Sequence, residues 1–229
     1  VKLSVIIPML NEAAAITQTL LPLQALREAG HEVIAVDGGS VDESPGLAKP
    51  LVDRLICAPR GRARQMNAGA QQASGDTLLF LHADTLLPEE ADRLIVNAME
   101  QHGKSWGRFD VRLSGSHLLL RAVEFMINRR SRFSGIATGD QAMFVSQPLF
   151  GAVGGFPEIE LMEDVALSIK LRRFEPPLCL RQRVVTSSRR WEQNGIPATI
   201  LLMWRLRLAF ALGADPARLA RVYEAQGRR

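Results

Sequence analysis

His82 and Asp84 stand at the end of a short apolar run, Thr77 to Leu81, with one residue between them. Side chains alternate along a strand, so this spacing points an imidazole and a carboxylate the same way at a strand's carboxyl end. Such a pair suits a divalent cation. A second acidic group, Glu163-Asp164, follows Leu161-Met162 and opens a helical pattern. In isolation it serves the helix dipole; opposite a nucleotide site, Asp164 becomes a candidate general base. Pro8, Asn11 and Glu12, then Asp37, then Arg62 with Asn67 follow three successive strand-like runs. Their backbone groups and carboxylates can bind a nucleoside, and Arg62 or Arg64 can meet a base or a phosphate. In Gly139-Asp140-Gln141 an aspartate and an amide can clamp hydroxyls, and beside Arg190 the face of Trp191 can hold a sugar ring or an apolar carrier.

These groups need elements that carry them to one place. Leu3 to Ile7 reads as a strand stopped by Pro8, and Asn11 as the cap of a helix bearing Ile16, Leu20, Leu23 and Leu26, closed by Gly30. Glu32 to Val36 and Leu55 to Cys57 are further strands, and Gly61 to Ala70 a small-residue helix. After the Thr77 strand and its polar loop, Leu87 to Glu90 start a helix with Pro88 in its first turn. Alternation with short loops implies parallel strands and ligands at their carboxyl ends. After Gln101 the pattern changes to strand Trp106–Leu113, helix His117–Arg130, a flexible basic run Arg129–Arg132, strand Ala142–Val145 and a turn at Gly154-Gly155. Helix Glu163–Arg173, a last strand Val184–Thr186, an apolar helix Ile196–Leu212 and a polar helix Pro216–Glu224 follow. The expected fold is α/β: a mixed, mainly parallel central sheet flanked by helices, with a C-terminal helical appendage. Residues 1–101 form its nucleotide half and 102–191 its acceptor half, while 192–229 pack on the domain, a dimer partner or a membrane surface.

Composition narrows the classes. A chain of 229 residues that is 47% hydrophobic can bury a full core and is not disordered. A net charge of +4 with 6% aromatics gives no stacking platform for nucleic acid. Cys57 and Cys179, without a motif, suggest packing in a reducing compartment, and the strand-like opening does not read as a leader. Ile196 to Leu212 is short for a membrane span and is interrupted by Arg205 and Arg207, which fits a cytoplasmic protein, at most peripheral on a membrane.

In order, the segments SVIIPMLNE, VIAVDGGSVDES, GRARQMNAGA, ASGDTLLFLHADTLLP, TGDQAMF, GGFPEIELMEDVALSIKLRR and SSRRW resemble the family 2 glycosyltransferases of the nucleotide-diphosphosugar transferase, or GT-A, fold. Small bacterial single-domain members, some associated with radical-enzyme or selenium-related genes, are the nearest in pattern. The resemblance implies a nucleotide-diphosphosugar donor and a hydroxyl acceptor, and the basic run and the apolar helix point to a lipid-linked one. Asn11, Glu12 and Asp37 would line the nucleoside site with Arg62 and Asn67 nearby; Asp84 would hold Mn²⁺ or Mg²⁺ on the diphosphate, and Asp164 would be the base of an inverting transfer. Three positions depart from the family pattern. His82 stands where the metal motif has its first acid, Gly38 where the nucleoside motif has its second, and Ser187 where processive synthases carry Gln or Arg. The last favours single-sugar transfer. Two other readings remain at this point: a nucleotidyltransferase, against which the loop MLNEAAAI lacks a glycine-rich, Lys-containing triphosphate site, and a catalytically silent nucleotide-binding scaffold of the same fold.

Overall fold

A computed structural model describes residues 1–226; positions 227–229 of the expected appendage lie outside the described residues. The chain runs β1 (Leu3–Met9), α1 (Ile16–Leu20), α2 (Gln24–Glu28), β2 (Glu32–Asp37), α3 (Ser44–Ala48), β3 (Arg54–Cys57), α4 (Arg62–Gln72), β4 (Thr77–Phe80), β5 (Thr85–Leu86) and α5 (Ala91–His102). It continues through β6 (Trp106–Leu113), α6 (Leu118–Ser134), β7 (Phe144–Ser146), α7 (Gln147–Ala152), α8 (Glu163–Arg172), β8 (Leu178–Thr186), α9 (Arg189–Asn194), α10 (Ile196–Ala211) and α11 (Pro216–Gln226).

The strands form one sheet in the order β3-β2-β1-β4-β7-β6-β8-β5. β3, β2, β1 and β4 pair in parallel, as do β6 and β8, whereas β7 is antiparallel to both β4 and β6. This is the mixed α/β sheet the alternation predicts. Strands β1, β2 and β4 are buried along their whole length because apolar layers cover both faces. Ile16, Leu20, Ile95 and Phe109 belong to one layer, and Met66, Phe150, Phe156 and Leu167 to the other. Helix α4 lies close on β1 because residue 69 is glycine: a Cβ there would stand 2.4 Å from the Ile6 side chain.

Topology decides where the cleft opens. The chain leaves β1 for β2 and β3 on one side and returns to β4 on the other, which leaves a crevice at the carboxyl ends of β1 and β4. Antiparallel β7 delivers the turn before it, Gly139–Gln141, to that same end. The carboxyl end of β8 arrives there too, because two antiparallel steps restore the direction of β4.

Several boundaries differ from the sequence expectation for local reasons. Strand β1 continues through Pro8, which pairs with Val36; its ladder with β4 ends at Ile6 and Phe80, so one flank there needs no amide donor. Asn11 caps no helix. It is left-handed at φ 55, its Oδ1 accepts the Val41 amide, and α1 begins only at Ile16. The expected single helix from Ile16 to Leu26 is two short ones, α1 and α2, on either side of Pro22. Leu87 to Glu90 precede α5 rather than start it, since β5 holds the chain extended against β8 and Glu90 turns left-handed just before the helix. Arg129 to Arg132 are helical within α6. Strand β8 begins at Leu178, not Val184, and follows β6 with a register shift between Phe109 and Asp110.

The C-terminal helices pack on the domain through two apolar patches. Ile196 and Ile200 of α10 pack with Leu120, Val123 and Ile127 of α6. Leu206 of α10 and Leu219 of α11 pack on Met162, the residue before α8. Among the described residues no helix is long and apolar enough to cross a membrane.

Candidate active site

A cleft of about 450 Å³ lies at the crevice, and its walls come from several sequence-distant places. Pro8 near the end of β1 and Glu12 after it, Gly61, Arg62 and Gln65 at the start of α4, and His82 and Asp84 after β4 line one side, and Asp140 and Glu163 close the far side. Arg189, Arg190 and Trp191 after β8 and Tyr223 of α11 complete it. The cleft therefore joins the β1 and β4 loops to both halves of the expected acceptor side.

The carboxylates face one another at a cost. Glu12 is held above its ordinary pKa by burial and then by the like charge of Asp84, partly offset by Arg189 and Arg62. Asp84 accepts no hydrogen bond and makes no ion pair among the described residues. A carboxylate left without a donor, beside a second one that it repels, fits a cation whose remaining ligands are phosphate oxygens and water. No set of three His, Cys, Asp or Glu side chains gathers among the described residues, so the protein's share of such a site is small.

His82 is engaged elsewhere. Its Nδ1 stands 3.4 Å from Asp140 Oδ1, and its Nε2 abuts Gly139, where a Cβ would come within 2.3 Å of that nitrogen. The pair keeps Asp140 ionised. Burial alone would raise the pKa of Asp140, but His82, Arg62 and Arg207 together hold it below the ordinary value. His82 is thus the seat of the Gly139-Asp140 turn, which explains why a histidine at this position is compatible with a charged cleft.

At the far wall, Met162 adopts a left-handed conformation, φ 70, immediately before α8. Strain of this kind is held by surrounding packing, here Leu206 and Leu219 from the C-terminal helices. Glu163 lines the cleft at 5% exposure and its pKa is pushed up to about 7, by burial first and by Asp164 second. Asp164 is half-buried behind that wall. Its Oδ2 accepts the Gly139 amide at 2.7 Å and its Oδ1 the Val165 amide at 2.6 Å.

Not every expected residue reaches the cleft. The Asp37 carboxylate closes its own turn, accepting from the amides of Gly39 and Ser40 and from the Ser40 hydroxyl at 2.5 Å. The Asn67 side chain exchanges two bonds with the Phe156 backbone and ties α4 to the turn at Gly154-Gly155. Gln141 is fully buried, bonded to Thr138 in a capping box. Asn11 joins the first two loops to each other. All four therefore shape the loops that carry Glu12, Arg62 and Asp140. Arg190 faces the cleft but spends its guanidinium on the Tyr223 ring, 3.4 Å from the centroid, and on the Tyr223 carbonyl at 2.7 Å.

Lining residues outside the sequence reading include Tyr223, in a helix with no motif, and Arg189, which reaches Glu12 across the cleft at 3.8 Å; Gln65 falls within the Arg62 to Asn67 stretch expected at this edge but is not singled out there. Their one common sign is position after an element that the topology brings to the crevice.

Comparison with known proteins bears on the fold and the family. The chain is 25% identical to the probable glycosyltransferase YdaM of Bacillus subtilis (strain 168), a match covering 93% of this chain and 55% of that protein. The chain thus spans about half the length of that relative. Its fold matches the crystal structure of S. aureus TarS 1–349 at a TM-score of 0.67, with 18% identity over 83% of this chain and 61% of that one. It also matches the mannosyltransferase PcManGT from Pyrobaculum calidifontis, solved with GDP-Man and Mn²⁺, at a TM-score of 0.63, with 19% identity over 98% of this chain and 68% of that one. A family model covers residues 4–152, and on that ground the chain belongs to glycosyl transferase family 2.

Proposed function

We propose that the protein is an inverting, metal-assisted, non-processive glycosyltransferase that moves one sugar from a nucleotide-diphosphosugar to a hydroxyl acceptor. The observation that carries the reading is the single cleft whose one wall bears Glu12 and Asp84 and whose other bears Asp140 and Glu163, with Asp164 directly behind. The nucleoside would lie along Pro8, Glu12 and Gln65, with Arg62 and Asp84 at the diphosphate. A divalent ion bound there would stabilise the departing diphosphate. Asp84 and, more weakly, Glu12 would hold it, with Mn²⁺ or Mg²⁺ equally suited to an oxygen donor set. TarS has been solved with UDP and with UDP-GlcNAc, and PcManGT with GDP-Man, which supports a nucleotide-sugar donor without fixing its base.

Asp164 takes the acceptor proton as the hydroxyl oxygen attacks the anomeric carbon from the face opposite the leaving diphosphate. Its bond to the Gly139 amide fixes the carboxylate while leaving lone pairs free to accept. One observation favours Glu163 as the proton acceptor instead: it is the member of the pair that lines the cleft. Paired variants decide between them. Asp164→Asn should abolish transfer while a nucleoside diphosphate still raises the melting temperature in the presence of Mn²⁺; undiminished transfer in that variant and its loss in Glu163→Gln would move the role to Glu163.

We further propose that the protein works peripherally at the inner, cytoplasmic face of an anionic bilayer, on a lipid-linked acceptor. Helix α6 turns Leu118, Phe125 and Phe133 outward at 83%, 63% and 96% exposure, and adjoining α10 turns out Leu201, Trp204 and Leu208. Arg129 and Arg205 lie on the exposed faces of the same two helices, and the one acid of α6, Glu124, is buried. Apolar side chains interleaved with arginine match an anionic headgroup region. Co-sedimentation with phosphatidylglycerol vesicles, lost on plain phosphatidylcholine and in Phe133→Ser with Trp204→Ser, is the expected result. Absence of vesicle binding together with a dimer in analytical ultracentrifugation would assign the face to a second copy instead.

A further inference from the structure

Gly38 and Gln65 occupy adjoining places at the carboxyl ends of β1 and β2, where Gln65 lines the nucleoside end of the cleft. A Cβ built on Gly38 would lie 3.0 Å from the Cδ, the Nε2 and the Oε1 of Gln65 alike, so the glycine backbone is stacked flat against the amide group. A side chain at 38 would press on the Gln65 amide and force it to give by a few tenths of an ångström. The amide is also fixed in orientation. Its Nε2 donates to the Met9 carbonyl at 2.9 Å and to the Val36 carbonyl at 2.8 Å, which uses both of its protons. Exchanging the oxygen and the nitrogen would set an oxygen against two carbonyls, so the assignment is forced. Oε1 remains. It receives no donor from the described residues, although Gln65 is only 3% exposed and what surface it keeps lines the cleft.

We propose that Oε1 of Gln65 is the acceptor that reads an N–H of the donor's nucleobase, in the place left by the carboxylate that residue 38 lacks. The proposal rests on the nucleotide-sugar reading above and adds the recognition chemistry. A buried acceptor whose own amide protons are consumed can offer nothing but acceptance, so it selects for a base edge that presents a donor and penalises one that presents a lone pair. Unlike a carboxylate it brings no charge. It therefore reads the base without adding a third negative group beside Glu12, whose pKa burial and the charge of Asp84 already raise.

The test measures binding of UDP, GDP, CDP and ADP, and of inorganic pyrophosphate as the baseless control, by titration calorimetry with Mn²⁺. Wild-type protein is expected to prefer one base, and the N-methylated form of that base, UDP methylated at N3 or GDP at N1, to bind roughly tenfold more weakly. Gln65→Met should bring the methylated and unmethylated ligands to within about twofold and leave pyrophosphate affinity unchanged. Since that variant orphans two buried carbonyls, Gly38→Ala serves as the second arm: it keeps Gln65 but presses a methyl group onto its amide, and should flatten the base preference in the same way. A base preference or methylation penalty that survives in folded Gly38→Ala and Gln65→Met overturns the assignment alone, as does wild-type protein that binds all four bases equally. Wild-type protein that binds no nucleoside diphosphate overturns the donor reading beneath it.

Discussion

The two walls of the cleft are built by opposite means. The β1 to β4 wall takes its groups from consecutive strand-to-helix turns of a parallel sheet, and those turns brace one another: Asn11 bonds the Val41 amide, Glu12's amide donates to Ser44, and Asp37 closes its own loop. The opposite wall is assembled from the turn before β7, the start of α8, the end of β8 and α11, and its bonds run between segments. His82 meets Asp140, Asp164 meets the Gly139 amide, and Arg190 meets Tyr223. The first wall is a local, repeatable scaffold, whereas the second is a composite that changes whenever one distant segment moves.

That contrast can be broken experimentally, and the largest effects should come from the carboxylates. Asp164→Asn is expected to lower transfer by about 10²–10⁴-fold with donor affinity retained, measured as single-turnover transfer and as nucleotide-induced melting shift. Asp84→Asn should lower it by roughly 10²–10³-fold and also remove the Mn²⁺-dependent part of that shift. If both variants lose only donor affinity, the two walls do not divide the work. Leu206, 2% exposed beneath the strained Met162, tests the composite wall through packing: Leu206→Ala should cost about 2–5 kcal/mol in urea unfolding and weaken catalysis beyond any effect on donor binding.

The pH dependence sharpens the roles of the acid pair. The folded pKa of Glu163, about 7, lies above its unfolded value of 4.5, so the folded state binds the proton more tightly and stability falls as pH rises between those values. Glu163→Gln should therefore raise the melting temperature at pH 8 and leave it nearly unchanged at pH 4. A transfer rate that declines as pH drops below about 7 in wild type, but not in Glu163→Gln, would give Glu163 a share in proton transfer. The smallest effect is expected from Asp140→Asn, which releases His82: the half-exposed pair is worth about 1 kcal/mol or less, so a change of severalfold in acceptor KM with kcat preserved is the outcome to look for.

Much of the β1 to β4 wall was legible because the strands are short apolar runs and the polar residues fall at their ends. His82, Asp84, Glu12 and Arg62 were placed correctly at one edge by alternation alone. The local reading failed where backbone conformation overrode residue type, as at Asn11, which ties two loops instead of capping a helix, and at Glu90, left-handed before α5. Asp37 and Asn67 carry suitable chemistry, yet their groups are consumed by neighbouring amides and a carbonyl. Nothing in a residue's identity records which of its hydrogen bonds the fold will use.

The sequence by itself determined the parallel first half and the set of acidic residues available for chemistry, because hydrophobic period and turn composition are local properties of the chain; the family resemblance rested on the ordered motifs. Only the tertiary structure decided which of those acids share a cleft, since β7 must enter antiparallel beside β4 before Asp140 can meet His82. It likewise decided that Gly38 and Gln65 belong together. Their contact depends on α4 packing against the ends of β1 and β2, a distance that no pattern of residues along one element can specify.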